Sequence, residues 1–173
     1  MSKYHRCIGR LRSDYGEHES TRKVDGGKKS ICLPIGNWPD GWRGIVFSEE
    51  WTRVVLGQGE DTKAADGVVF AANHTLCVGL FELKKGLRSS RRLSEACEQL
   101  QSSAEAVGRL LSQNRPPNIR FRVAVVYDSG SRKFEPPCIT VLRRERRVRI
   151  VKKHEVKEIA PWLVAQCGKQ RGG

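Results

Sequence analysis

The stretch Asp66-Gly67-Val68-Val69-Phe70-Ala71-Ala72-Asn73-His74-Thr75-Leu76-Cys77-Val78-Gly79-Leu80-Phe81-Glu82-Leu83-Lys84-Lys85 decides the fold. Asp66 to Ala72 reads as a strand, Asn73-His74-Thr75 as a turn and Leu76 to Leu83 as a second strand. The near-continuous apolar run of the second strand predicts cover on both of its faces. Glu82 and Lys84 stand two apart in that run, and side chains two apart on a strand share a face. Folding the pair about its turn brings Asp66 opposite or near Glu82. Two carboxylates and one amine are therefore expected to converge at one rim of a sheet.

Two neighbouring carboxylates repel, and both ionise readily only with positive charge between them. A divalent cation supplies it. Mg²⁺ takes oxygen ligands and is typically held by one or two carboxylates plus substrate phosphate. A lysine beside such a site can orient or deprotonate a water, or neutralise charge building on a phosphate. Metal, water and lysine together suit in-line attack on a phosphodiester. A Glu-x-Lys alone is common; it is the spacing to Asp66 that singles this one out.

Outward from this hairpin, residues 90–113 predict a long helix, with Leu93, Ala96, Cys97, Leu100, Ala104, Val107, Leu110 and Leu111 at helical spacing. Ser89 or Ser90 can cap it and Pro116-Pro117 stops it. Arg120 to Tyr127, Ile139 to Leu142 and Arg147 to Val151 read as strands, and Val156 to Cys167 as a closing helix interrupted at Pro161. Upstream, Ser48 to Gly57 predicts a short helix with Glu49 and Glu50 in its first turn. Ile31 to Ile35 and Gly44 to Phe47 read as short strands forming a hairpin. Residues 1–30 are polar and read as a flexible arm, and 168–173 as a frayed tail. The expected fold class is α/β: a single domain over 31–167 with a central mixed sheet flanked by helices.

The pattern Asp66…Glu82-Leu83-Lys84 resembles the PD-(D/E)xK, or restriction-endonuclease-like, nuclease superfamily over roughly residues 45–127. That family's core runs helix, three strands, helix, strand. The resemblance implies Asp66 and Glu82 as metal ligands, the Leu83 carbonyl as a further ligand and Lys84 as catalytic lysine, with Mg²⁺ or Mn²⁺ as cofactor. It also makes Glu49 or Glu50 a candidate further metal ligand, and Gln99 a candidate accessory residue. Ala65 stands where the family often has Pro. The polar stretch 58–65 leaves no clear strand between the first helix and Asp66, so that strand is absent, very short, or supplied by Gly44 to Phe47.

The 173-residue chain carries 32 Lys and Arg against 19 Asp and Glu, a net charge of +13. From residue 88 onward lie 19 of those basic and only 8 of those acidic residues. An excess packed into one half points to a polyanionic partner, nucleic acid first. Lys85, Arg88, Arg91 and Arg92 follow the site at the start of the long helix, where backbone amides also favour anions. Arg143, Arg144, Arg146, Arg147, Arg149, Lys152 and Lys153 form a denser run. Its alternation with Val148 and Ile150 predicts one basic and one apolar face, suited to tracking a phosphate backbone or entering a groove, on a part of the sheet away from the metal.

No stretch approaches 18 consecutive apolar residues, and the first 20 residues hold no apolar leader, so neither a membrane span nor secretion is expected. The six cysteines include no CxxC pair and read as free thiols in a reducing cytoplasm. No glycine-rich phosphate loop is present, so no nucleotide cofactor is expected. The expectation is a metal-dependent nuclease acting on DNA, helped by a dimer partner or a targeting protein. Its rivals are a non-catalytic nucleic-acid-binding module and a subunit of a larger nucleic-acid-processing or defence complex.

Overall fold

In the computed structural model, residues 2–27, 30–113, 116–130 and 133–169 are described. Helix α1 (Lys3–Tyr15) leads into a short 3-10 turn (Gly16–His18), then β1 (Lys23–Asp25), β2 (Cys32–Pro34) and β3 (Arg43–Phe47). Helix α2 (Glu49–Leu56) precedes β4 (Gly67–Ala72) and β5 (Leu76–Gly86). The long helix α3 (Ser90–Ser112) is followed by β6 (Ile119–Ser129), β7 (Cys138–Val141) and β8 (Arg144–Lys152). Helices α4 (Lys153–Val156) and α5 (Ile159–Gly168) close the chain.

Six strands form one mixed sheet in the order β3-β4-β5-β6-β8-β7, and β1 pairs with β2 in a small antiparallel ribbon. Strands β3, β4 and β5 are mutually antiparallel, whereas β6 runs parallel to β5 and to β8. Every residue of β4 is buried, and β5 is buried from Leu76 to Leu83, as its unbroken apolar run requires. One sheet face carries α1, α2 and α3, with Ile8, Trp51, Leu100 and Val107 packed over Phe70, Leu80 and Val123. The other carries the β1–β2 ribbon and α5, with Leu33, Ile159 and Leu163 over Val69, Phe81 and Ala124. A Cβ at Gly79 would lie 3.1 Å from the Leu163 methyl carbons, so a bare backbone there lets α5 sit close to the sheet. The result is one α/β domain of three layers.

Four expectations are corrected. The amino-terminal segment is not an arm: Tyr4, Ile8 and Leu11 are buried in the main core, and Tyr15 meets Phe47 and Trp51 edge-on. Its apolar stripe is narrow and sits among charges, so average composition conceals it. The segment around Ile31 to Ile35 does not form a hairpin with Gly44 to Phe47. Residues Cys32–Pro34 pair with β1 across the sheet face, while β3 joins β4. Thus β3, ahead of α2 in the chain, supplies the strand that the polar stretch 58–65 could not. Pro161 does not interrupt the last helix; it is the third residue of α5, where a missing N–H costs no helical hydrogen bond. Finally, Cys77 and Cys167 are joined in a disulfide, 90 residues apart in sequence. Sequence spacing gave no hint of it, because packing of α5 across β5 alone brings their Cα atoms to 6.4 Å. Cys7, Cys32, Cys97 and Cys138 are free. Of the expected tail, Gly168 closes α5 and residues 170–173 lie outside the described residues.

Candidate active site

Register decides the site. Gly67 pairs with Phe81, so Asp66 enters the sheet directly opposite Glu82. The Leu83 amide donates to Asp66 Oδ2 at 2.7 Å, and the Asp66 amide to Glu82 Oε2 at 3.3 Å. Each carboxylate thus caps the backbone of the other strand where the ladder ends. Asp66 is 9% exposed and Glu82 1%. Lys84 Nζ lies 2.6 Å from Glu82 Oε1 and donates to Gln99 Oε1 at 3.0 Å. Gln99 in turn donates from Nε2 to the Ala64 carbonyl at 3.4 Å. Gln99 therefore ties the lysine to the loop that delivers Asp66.

Burial sets the electrostatics. Removal from water pushes the Asp66 carboxyl up to about 6, against the lowering effects of the Leu83 amide and Lys84. Glu82 is pushed up to about 8, chiefly by burial and then by the Asp66 charge, with Lys84 opposing. Two carboxylates share one ammonium, so ionising both leaves a buried negative charge unmatched. A divalent cation bound between them would supply the missing positive charge, and Asp66 and Glu82 offer the carboxylate oxygens that could ligate one. The Leu83 carbonyl accepts a hydrogen bond from the Ser30 hydroxyl at 2.8 Å, which leaves it a second lone pair. Among the described residues no cluster of three or more His, Cys, Asp or Glu side chains forms a ready-made metal cage.

Glu50 does not join the pair. It and Glu49 both bridge Arg53, at 3.5 and 3.3 Å, as acids in the first turn of a helix commonly do. Of the two it is Glu49, with Asp25 from β1, whose charge reaches Asp66.

Three supporting residues escaped the sequence reading. Ser103 of α3 donates or accepts across 2.8 Å to Thr52 of α2, and its hydroxyl accepts the Ala65 amide at 3.0 Å. Both hydroxyls are fully buried and fix the backbone just before Asp66. A serine inside the apolar stripe of α3 was the available signal. Ser30 has no comparable signal, because only the β1–β2 ribbon brings it to β5.

The basic residues divide. Ser89 caps α3, Arg91 pairs with Glu95 at 3.1 Å, and Arg92 donates to the Gly86 carbonyl at 3.1 Å. Lys85 and Arg88 are exposed, Lys85 on the strand face opposite Lys84. On β8 the alternation holds over 147–150, with Arg147 and Arg149 exposed on the face opposite the packed Val148 and Ile150, but the basic residues as a set do not share that face. Arg146 sits over the Phe121 ring at 5.5 Å on the α3 side, and Arg149 over Trp162 at 5.8 Å on the α5 side. Arg149 also bonds the Gln166 side-chain oxygen, while Arg120 and Arg122 donate to the Cys167 and Gln166 carbonyls. Three guanidiniums therefore gather at the carboxyl end of α5, where cations favour the helix dipole. Arg143 and Arg144 sit at the β7–β8 turn, Arg147 is exposed, and Lys152 and Lys153 mark the far end of β8. That end reaches the rim holding Lys84, so the run is not remote from the site throughout its length.

No protein-family model matches the chain, and neither a curated protein nor a solved structure matches it.

Proposed function

We propose that this chain is a divalent-metal-dependent nuclease of the PD-(D/E)xK type that hydrolyses nucleic-acid phosphodiesters, DNA in the first instance. One observation carries the reading: Asp66 and Glu82 are buried side by side at a sheet rim with the single ammonium of Lys84 between them and solvent. The element order α1, β3, β4, β5, α3, β6, with α2 inserted after the first strand, supports the same reading. Asp66, Glu82 and the Leu83 carbonyl would hold Mg²⁺ or Mn²⁺. Bound there, the cation would polarise a phosphodiester oxygen and acidify a water. Lys84, held by Gln99, presents its ammonium to the attacking water or to charge gathering on the phosphate. Hydrolysis joins the water oxygen to phosphorus and breaks one P–O ester bond; the leaving oxygen takes up a proton. Lys85, Arg88, Arg91 and Arg92 give the substrate phosphates positive charge beside the start of α3.

No described helix is long and apolar enough to cross a membrane. The expected cytoplasmic setting rests on the four free thiols; thiol counting on protein taken directly from cells tests it, and a Cys77–Cys167 bond already formed there would contradict it.

The test is incubation with supercoiled plasmid and single-stranded DNA in Mg²⁺, Mn²⁺ or EDTA. Cleavage is expected with either metal and not with EDTA, and Asp66→Ala or Glu82→Ala should lower it at least about a thousandfold. If both variants cut like the parent, the site is misassigned. Binding without cleavage under every condition would favour the non-catalytic module.

A further inference from the structure

The sheet register lines up three residues of different strands. Lys84 of β5 pairs with Tyr127 of β6, and Tyr127 pairs with Lys152 of β8. All three lie on the α3 side. Leu80 and Val78 precede Lys84 on that face, Val123 and Val125 precede Tyr127, and Val148 and Ile150 precede Lys152, all packed in the α3-side core. At the usual strand spacing of about 4.8 Å, Lys152 stands about 10 Å from Lys84 with Tyr127 midway. The Tyr127 ring packs against the core. Its hydroxyl has no hydrogen-bond partner among the described residues, yet it is not sealed away from solvent. The Lys152 side chain is exposed and makes no ion pair among the described residues, while the Glu155 carboxylate is turned to the Lys152 backbone amide at 2.8 Å.

We propose that Tyr127 and Lys152 continue the site as a phosphate track, holding the phosphate next to the one under attack, so that the cut strand crosses β5, β6 and β8 rather than running along them. The placement of the reacting phosphate rests on the nuclease reading; the phosphate contacts do not. A tyrosine whose ring is committed to the core offers its hydroxyl rather than a stacking face, so phosphate and not base is the group recognised. The track also separates Lys152 from the rest of its basic run. Arg144 lies eight residues back along β8, about 26 Å away, at the other end of the sheet.

Fluorescence anisotropy of a labelled single-stranded oligonucleotide, in EDTA and over a range of salt, tests this without needing cleavage. The parent should bind. Lys152→Ala should bind about tenfold more weakly, with the slope of log affinity against log salt flatter by about 0.7. Tyr127→Phe keeps the packed ring and should also lose about tenfold. Arg10→Ala, an equal loss of charge at an exposed position of α1, should match the parent. Parental binding by both Tyr127→Phe and Lys152→Ala overturns the track, as does a parent that does not bind. Full binding by Tyr127→Phe but not Tyr127→Ala would make Tyr127 a stacking residue and overturn the phosphate assignment. A parent that binds in this pattern but never cuts with Mg²⁺ would sink the nuclease reading and leave the track standing.

Discussion

The rim at Asp66 and the basic strand β8 are both rich in charge, and they use it in opposite ways. At the rim, three ionisable groups from two strands are drawn together and two are buried, at a cost that the fold alone does not recover. On β8, basic groups adjacent in sequence are driven apart. Alternation sends Arg146 to one sheet face and Arg149 to the other, where aromatic rings and a helix end absorb them. Charge concentrated against its electrostatic cost marks a site, whereas charge dispersed by the pleat is mostly structure. Counting Lys and Arg along a strand cannot distinguish the two; pairing register can.

The contrast is sharpest at two adjacent lysines. Lys84 faces Glu82 and Gln99, whereas Lys85 points the other way into solvent. Lys84→Ala should reduce single-turnover cleavage about 10²–10⁴-fold, while Lys85→Ala should mainly weaken substrate binding. Equal losses from the two would break the distinction.

The next effect is on stability against pH. Asp66 and Glu82 are held above their ordinary values, so the unfolded chain gives up these protons first as pH rises. Metal-free protein should therefore lose stability from the ordinary carboxylate range up to about pH 8, by an amount on the order of a few kcal/mol. Glu82→Gln should flatten that decline, and Mg²⁺ should raise the melting temperature more at pH 8 than at pH 5.5. A melting temperature that climbs through this range in EDTA, with Glu82→Gln unchanged, would mean the pair is not strained.

The smallest effect belongs to β8. Arg149→Ala removes a contact with Trp162 and a hydrogen bond to Gln166, and should cost about 1 kcal/mol in denaturant unfolding. Arg147→Ala should cost less than about 0.5 kcal/mol. The reverse order would return β8 to a freely solvated basic face.

Much of the rim was legible because the turn Asn73-His74-Thr75 fixes the register of its hairpin, and period two then sets which side chains meet. Gln99 was legible only as a candidate, since helical spacing gives a face and not a partner. What stayed hidden depends on packing between distant segments. Helix α1 shows five apolar residues among as many charges. Strands β1 and β2 are three residues each, too short for any periodicity. Ser30, Ser103 and the Cys77–Cys167 bond arise from layers stacking on the sheet, which no local pattern encodes.

The central claim is that Asp66 and Glu82 together hold a divalent cation. Calorimetric titration of Mn²⁺ into the protein at pH 8 tests it most directly. One site is predicted in the parent, lost in both Asp66→Ala and Glu82→Ala while Lys85→Ala binds normally. No binding by the parent, or binding undiminished in both carboxylate variants, would contradict it.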